Sequence, residues 1–238
     1  MKARTLRDIQ LQELGILEAF DKMCAEAGLG YFLVSGTLLG AMRHNGFIPW
    51  DDDIDVGMPP DDYERFKRLA ASMLPRHLAY HAENENGSWL GFAKISDGEL
   101  DIDVFPFESK PNLPYPIVRR LLNFRHGCFW RIRRAKTAAS RPAVAVWSAV
   151  HALAVITWKT CCMLFPFGGL HMRPETGFTV HAKKSQIVPL ATHEFEGRQY
   201  PIPADAEAVL ASEYKNWREL PPEEQRVPSH LNLSAVQC

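Results

Sequence analysis

The chain lacks an apolar run of the twenty or so residues that a membrane-spanning helix needs. Its best candidate, "AVAVWSAVHALAVITW" (143–158), contains His151 and stops at Lys159. That reads as a buried helix, with an interfacial helix beside the neighbouring basic stretch as the alternative. The N-terminal "MKARTLRDIQLQEL" has no uninterrupted apolar core of the kind a secretory signal carries, which predicts a cytoplasmic protein. Cysteine is sparse: five residues without regular spacing predict a reducing compartment rather than a disulfide framework. The adjacent Cys161–Cys162 has no CxxC partner set, which argues against a zinc site.

Net charge is also nearly absent. A net charge of −1 predicts no strong general attraction to nucleic acid or to an anionic membrane. The charge is unevenly placed, however. Residues 51–62 hold six aspartates and no base, whereas "VRRLLNFRHGCFWRIRRAK" (118–136) holds arginine and lysine throughout and no acid. There is no internal repeat, low-complexity tract or obvious linker. With 46% hydrophobic and 23% charged residues, the composition is that of an ordinary soluble globular protein. The expectation is one α+β domain over 1–238, with a basic helical insertion at 115–175 and a C-terminal hairpin and helix at 176–238.

Periodicity places the elements. Thr5 and Asp8 signal a helix start, and Leu6, Ile9, Leu14, Leu17, Phe20 and Cys24 form a helical stripe that Gly28 and Gly30 end. "YFLV" (31–34) predicts a short buried strand, and "SGT" (35–37) a turn into the short helix "LLGAMRH". "DIDVGM" (53–58) alternates like a strand, and Asp61 and Asp62 open a helix that runs to Met73. "LAYHAE" (78–83), "WLGFAKI" (89–95) and "ELDIDVFPF" (99–107, ended by Pro106) read as further strands. "IVPLATHEFEGRQYPIP" predicts a hairpin turning near Glu196-Gly197, followed by the helix "ADAEAVLASEYKNW".

The acids need an explanation. Asp51, Asp52, Asp53 and Asp55 fall within five positions. Two unit charges ~4 Å apart repel by about 1 kcal/mol in water and roughly 4 kcal/mol at the effective dielectric of a protein surface. Strand alternation points Asp53 and Asp55 the same way, and Asp101 and Asp103 repeat the arrangement in "LDIDVF". If the two strands are neighbours, three or four carboxylates converge, and a hard divalent cation, Mg²⁺ or Mn²⁺, would remove the repulsion. Asp52 points away, toward solvent or local backbone. Ser35, Gly36 and Thr37, between a strand and a helix, can cradle a phosphate through exposed N–H groups. A phosphate cradle beside a carboxylate-held metal is equipment for phosphoryl transfer.

"SGTLLGAMRHNGFIPWDDDIDVGM" resembles the signature of the LicD family, the phosphocholine transferase group related to fukutin-type proteins, within the nucleotidyltransferase-fold superfamily. "IDVFPF" resembles the family's second acidic segment, and "FEGRQYPIPADAEAVLASEYKNWRELPP" its C-terminal part. The resemblance implies a mixed β-sheet flanked by helices. It also implies transfer of a phospho-substituent from a nucleotide-activated donor, typically CDP-choline, to a glycan or glycolipid acceptor at the cell surface. Gly36 and Thr37 match the superfamily's Gly-Ser/Thr turn, Asp53 and Asp55 its paired metal carboxylates, and Asp103 its third. Nothing in 115–175 matches, so acceptor choice stays open. Ribitol-phosphate or nucleotidyl transfer, with nearly the same metal site, and a noncatalytic glycan-binding relative are the alternatives.

In this reading Asp53 and Asp55 hold metal at the donor diphosphate, while Asp103 completes the site and accepts the proton of the attacking hydroxyl. Ser35, Gly36 and Thr37 contact donor phosphate. Arg43 and His44 meet phosphate or the acids, or Arg43 pairs with Asp51 or Asp52. Lys94 neutralises the leaving nucleotide or faces water. Trp50 belongs to a choline-binding aromatic cage or to packing. Asp101 is a ligand or supports one, and His181, Lys183, Lys184, Arg226 and His230 are weaker phosphate or nucleotide candidates. Peripheral contact at the inner face of a membrane is the remaining expectation.

Overall fold

The computed structural model describes residues 4–82, 91–138, 140–166, 168–172, 180–214 and 216–228. Helix α1 (Leu6–Ala27) is framed as its sequence predicts: Thr5 and Asp8 form a reciprocal capping box, and Gly28 ends the helix in the left-handed conformation. Its inner face, with Ile9, Ile16, Leu17 and Phe20, is buried.

A mixed sheet follows. Strand β1 (Phe32–Leu33) pairs antiparallel with β2 (Asp55–Met58), and β2 pairs parallel with β5 (Asp101–Ser109). Strands β4 (Ala93–Ser96) and β3 (Ala79–His81) continue from β5 antiparallel, giving the order β1-β2-β5-β4-β3. Strand β6 (Leu170–Met172) pairs with the far end of β5 and with β7 (His181–Ala182). The fold is α+β, as expected. Helices α1 and α3 (Pro60–Met73) pack on β5. The strands predicted at 78–83 and 89–95 lie partly on residues 83–90, outside the described residues.

Three expectations are corrected. Ser35-Gly36-Thr37 is not a turn ahead of a helix: α2 (Ser35–His44) begins at Ser35, with Val34 as its N-cap. Strand β5 is not ended by Pro106 but passes through it to Ser109, in register with Met58. Asp103 N–H donates to Ile54 on the β2 side, so alternation turns the Pro106 nitrogen the other way. There β4 has already ended, opposite Val104, and β6 begins only opposite Phe107. A missing N–H is tolerated in that gap.

The third correction concerns the apolar segment. It lies in α5 (Arg141–Leu164), whose only buried residue is Trp158. α4 (Tyr115–Thr137) and α5 form a helical hairpin, and α4 buries Val118, Leu122, Cys128, Phe129 and Ile132. At the hairpin's base Arg125, 2% exposed, lies 2.5 Å from Glu108 of β5. The Trp158 indole donates to the Ser109 carbonyl.

Strand β8 (Ala191–Phe195) and β9 (Arg198–Ile202) form the predicted hairpin, turning at Glu196-Gly197, both at positive φ. Its tip clips the loop ahead of the acids. Glu196 accepts from the Phe47 backbone N–H and pairs with Arg7, and its own N–H donates to Asn45. Helix α7 (Ala206–Glu213) packs on α2, and α6 (Lys184–Ile187) on α7.

Candidate active site

Alternation along β5 separates two faces. Ile102 and Val104 are buried in the core, while Asp101 and Asp103 point to the other side. Parallel pairing sets Asp103 directly opposite Asp55, which meets the condition under which the two acidic strands bring their carboxylates together. Ahead of β2, Asp51, Asp52 and Asp53 each bring one carboxylate oxygen within 4.8 Å of the others. Asp52 is 4% exposed, so of its two expected surroundings, solvent or local backbone, solvent is ruled out.

Two further acids belong to the cluster. Glu13 interrupts the apolar stripe of α1 and is 2% exposed, and its buried Oε2 has no hydrogen-bond partner among the described residues. Gln10, one turn earlier, is tied to the acidic loop by donating to the Asp51 carbonyl at 2.9 Å. Glu213, at the end of α7, comes up beside Ser35 and interacts with Asp55. The Glu13 signal is present in the sequence as an acid at the spacing of Ile9, Ile16 and Phe20. Glu213 has no such signal, because its role comes from α7 docking on α2.

Crowding moves proton affinities. Burial, then Asp53 and Asp103, hold the Asp55 carboxyl well above the ordinary range. Burial with Asp53 and Asp52 pushes Asp51 up to about 8, and burial with the same aspartates pushes Glu13 up to about 9. Asp103 rises less, to about 6, because burial is opposed by Lys94. Lys94 lies opposite Asp103 on β4, with its Nζ 2.6 Å from Asp103 and in contact with Asp101. Its ammonium thus serves the carboxylates rather than facing water.

The N-terminus of α2 completes the centre. The Thr37 hydroxyl accepts from the Asp55 N–H at 2.8 Å, fixing the start of β2. Ser35 stands at φ +48°, a left-handed conformation uncommon for a side-chain-bearing residue. A Cβ at Gly36 would come within 2.9 Å of the Asp51 carboxylate, so only glycine lets that carboxylate approach the helix end.

Beside Gly36 and Asp51 opens a cavity of about 660 Å³ whose walls include Arg43, Trp50, Tyr214 and Trp217. Arg43 donates to the carbonyls of Trp217 and Glu219, which fixes the C-terminal wall. His44 meets the Trp50 ring edge-on, and burial and Arg43 lower its proton affinity. Arg226 stands over the Trp50 ring at 5.6 Å, so the one tail candidate that is described does reach this cavity wall. His181 packs instead near Tyr115 and His171, Lys183 and Lys184 are exposed, and His230 lies outside the described residues.

The donor set is all oxygen, includes a buried carboxylate oxygen without a partner, and holds its protons abnormally tightly. Those are the properties of residues suited to a hard divalent cation. Asp53, Asp55 and Asp103 would hold it, with Asp51 and Glu13 adjoining.

Residues 28–129, which include α2, β2 and β5, match the family model described as "LicD/FKTN/FKRP, nucleotidyltransferase domain". The chain is 32% identical over 264 aligned positions to the "Lipopolysaccharide cholinephosphotransferase LicD" of Haemophilus influenzae, covering 99% of this chain and 100% of that protein. It is also 32% identical over 108 positions to the "Ribitol 5-phosphate transferase FKRP" of mouse and of human, covering 44% of this chain and 20% of each of those proteins. Matched to one such relative along its whole length, and to the family model through its acidic centre, the chain belongs to the LicD family.

Proposed function

We propose that the protein transfers phosphocholine from CDP-choline to a hydroxyl of a cell-surface glycan or glycolipid, with lipopolysaccharide, named for one relative, as the precedent. The observation that carries this reading is the full-length similarity to a lipopolysaccharide cholinephosphotransferase, in a chain that gathers its acids into one centre. Asp53, Asp55 and Asp103 would hold a divalent cation, which when bound would neutralise phosphate charge. The chain's own groups do the rest.

The amide end of α2 at Gly36 receives donor phosphate. Asp103, steadied by Lys94, takes the proton as the acceptor oxygen bonds to the choline-bearing phosphorus. The bond from that phosphorus to the bridging oxygen breaks, and CMP leaves with the electron pair. The Trp50, Tyr214 and Trp217 side of the cavity suits a quaternary ammonium, whose charge favours aromatic faces.

Ribitol-phosphate transfer is the second reading, favoured by the similarity to FKRP over the part of the chain that bears the acids. Calorimetric titration of CDP-choline, CDP-ribitol and CTP, each with Mg²⁺ or Mn²⁺, separates them. Metal-dependent binding of CDP-choline, lost in the Asp53→Asn/Asp55→Asn variant, is the expected result. Preference for CDP-ribitol selects the second reading, and binding of no nucleotide overturns both.

A further inference from the structure

The α4–α5 hairpin stands apart from the chemistry, and its surface is unlike the rest of the chain. By length and composition α5 could cross a membrane, yet its most apolar stretch is only 6% buried. One face, through Val144, Trp147, His151, Val155 and Trp158, is half-buried or buried and turns toward α4. The other leaves Val146, Leu153, Ile156, Met163 and Leu164 between 58% and 75% exposed, at helical spacing. An apolar stripe of this extent is not left in water without a use.

Charge points to what covers it. Arg131, Arg134 and Lys136 near the end of α4 and Arg141 at the start of α5 are all exposed and gather at the hairpin tip, where the sequence holds no acid. Trp158, which anchors the base to β5, is seventeen residues from Arg141, or about 25 Å of helix.

We propose that this hairpin docks the protein on an anionic bilayer surface, with the outer face of α5 in the boundary between headgroups and acyl chains and the basic tip against lipid phosphates. Lying along the surface fits better than crossing it. The Arg131 guanidinium stacks on the Trp147 ring at 4.7 Å, so the charged end of α4 runs beside the first turns of α5. A crossing α5 would draw that end into hydrocarbon. Trp130, exposed on α4, supplies the kind of amphipathic ring that favours this boundary. The docking does not depend on the transfer reading, although it would bring a lipid-linked acceptor to the enzyme.

The test is flotation of the full chain with vesicles of phosphatidylcholine alone and with a third phosphatidylglycerol, at low and high salt. The expected result is partitioning onto the anionic vesicles that weakens with salt. Leu153→Glu/Ile156→Glu and Arg131→Glu/Arg134→Glu should each lower it by about tenfold or more. All four positions are exposed, and unchanged circular dichroism and melting would show that the variants fold.

No partitioning, or variants that float as well as the parent chain, overturns the proposal. So does a stable dimer in light scattering that ignores vesicles and falls apart in Leu153→Glu/Ile156→Glu, since the stripe would then belong to a second copy. Vesicle binding is read without nucleotide, so a failed flotation bears on the docking alone and a failed donor titration on the transfer alone.

Discussion

Lys94 Nζ lies 2.6 Å from Asp103 Oδ1, across the antiparallel β4–β5 pair, at the face where Asp103 meets Asp55. A cation is thus built into the acidic centre, and it keeps the proton affinity of Asp103 below those of Asp51 and Glu13.

Lys94→Met should therefore raise the Asp103 proton affinity and move the acidic limb of the pH–rate profile to higher pH. Asp103→Asn should lower kcat by about 10²–10⁴-fold, the range for loss of a positioned base. Steady-state kinetics across pH 5–9 checks both. An unmoved acidic limb in Lys94→Met would remove Asp103 from the base role.

Metal-free protein should lose stability as pH rises. Glu13, near 9 in the folded state and at an ordinary 4.5 when unfolded, keeps its proton on folding. Between those values the folded state binds more protons, so stability is greatest below the unfolded value and declines through the window. Glu13→Gln, which stays neutral, should flatten the decline, and added Mn²⁺ should stabilise it less than the parent. Melting curves at pH 5–9 with EDTA or Mn²⁺ give the answer.

Gly36→Ala places a methyl within 2.9 Å of the Asp51 carboxylate, at the end of a side chain that can swing away. The fold should survive with a melting shift of only a few degrees, while metal-dependent nucleotide binding weakens by about tenfold, the cost of misplacing a charged ligand by about one hydrogen bond. Calorimetry against the parent chain measures it.

Arg125→Ala removes the buried guanidinium from Glu108 at the base of the hairpin and leaves that carboxylate only its contact with His171, 3.3 Å away, among the described residues. Breaking such a pair costs about 3–5 kcal/mol, or about 10 °C in Tm for a chain of this size. Thermal unfolding checks the shift. Donor affinity should remain, because the acidic centre is built from α1, the loop before β2, β2, the other end of β5 and α7, none of which carries Arg125.

Short-range sequence signals settle the local elements and the chemical kind of site. The capped α1, the Glu196-Gly197 hairpin and the acids at 51–55 and 101–103 are legible because capping, turn chemistry and strand alternation act over a few residues. Distance along the chain hides the rest. Strand pairing, which is non-local, makes Asp55 and Asp103 partners and turns Lys94 onto them. Docking of α7 on α2 brings Glu213 to Ser35, although nearly 180 residues separate them. The segment 143–158 reads as core in the sequence because apolar composition says that a surface avoids water, not what covers it. Only the packing of α5, one face on α4 and the other open, decides that.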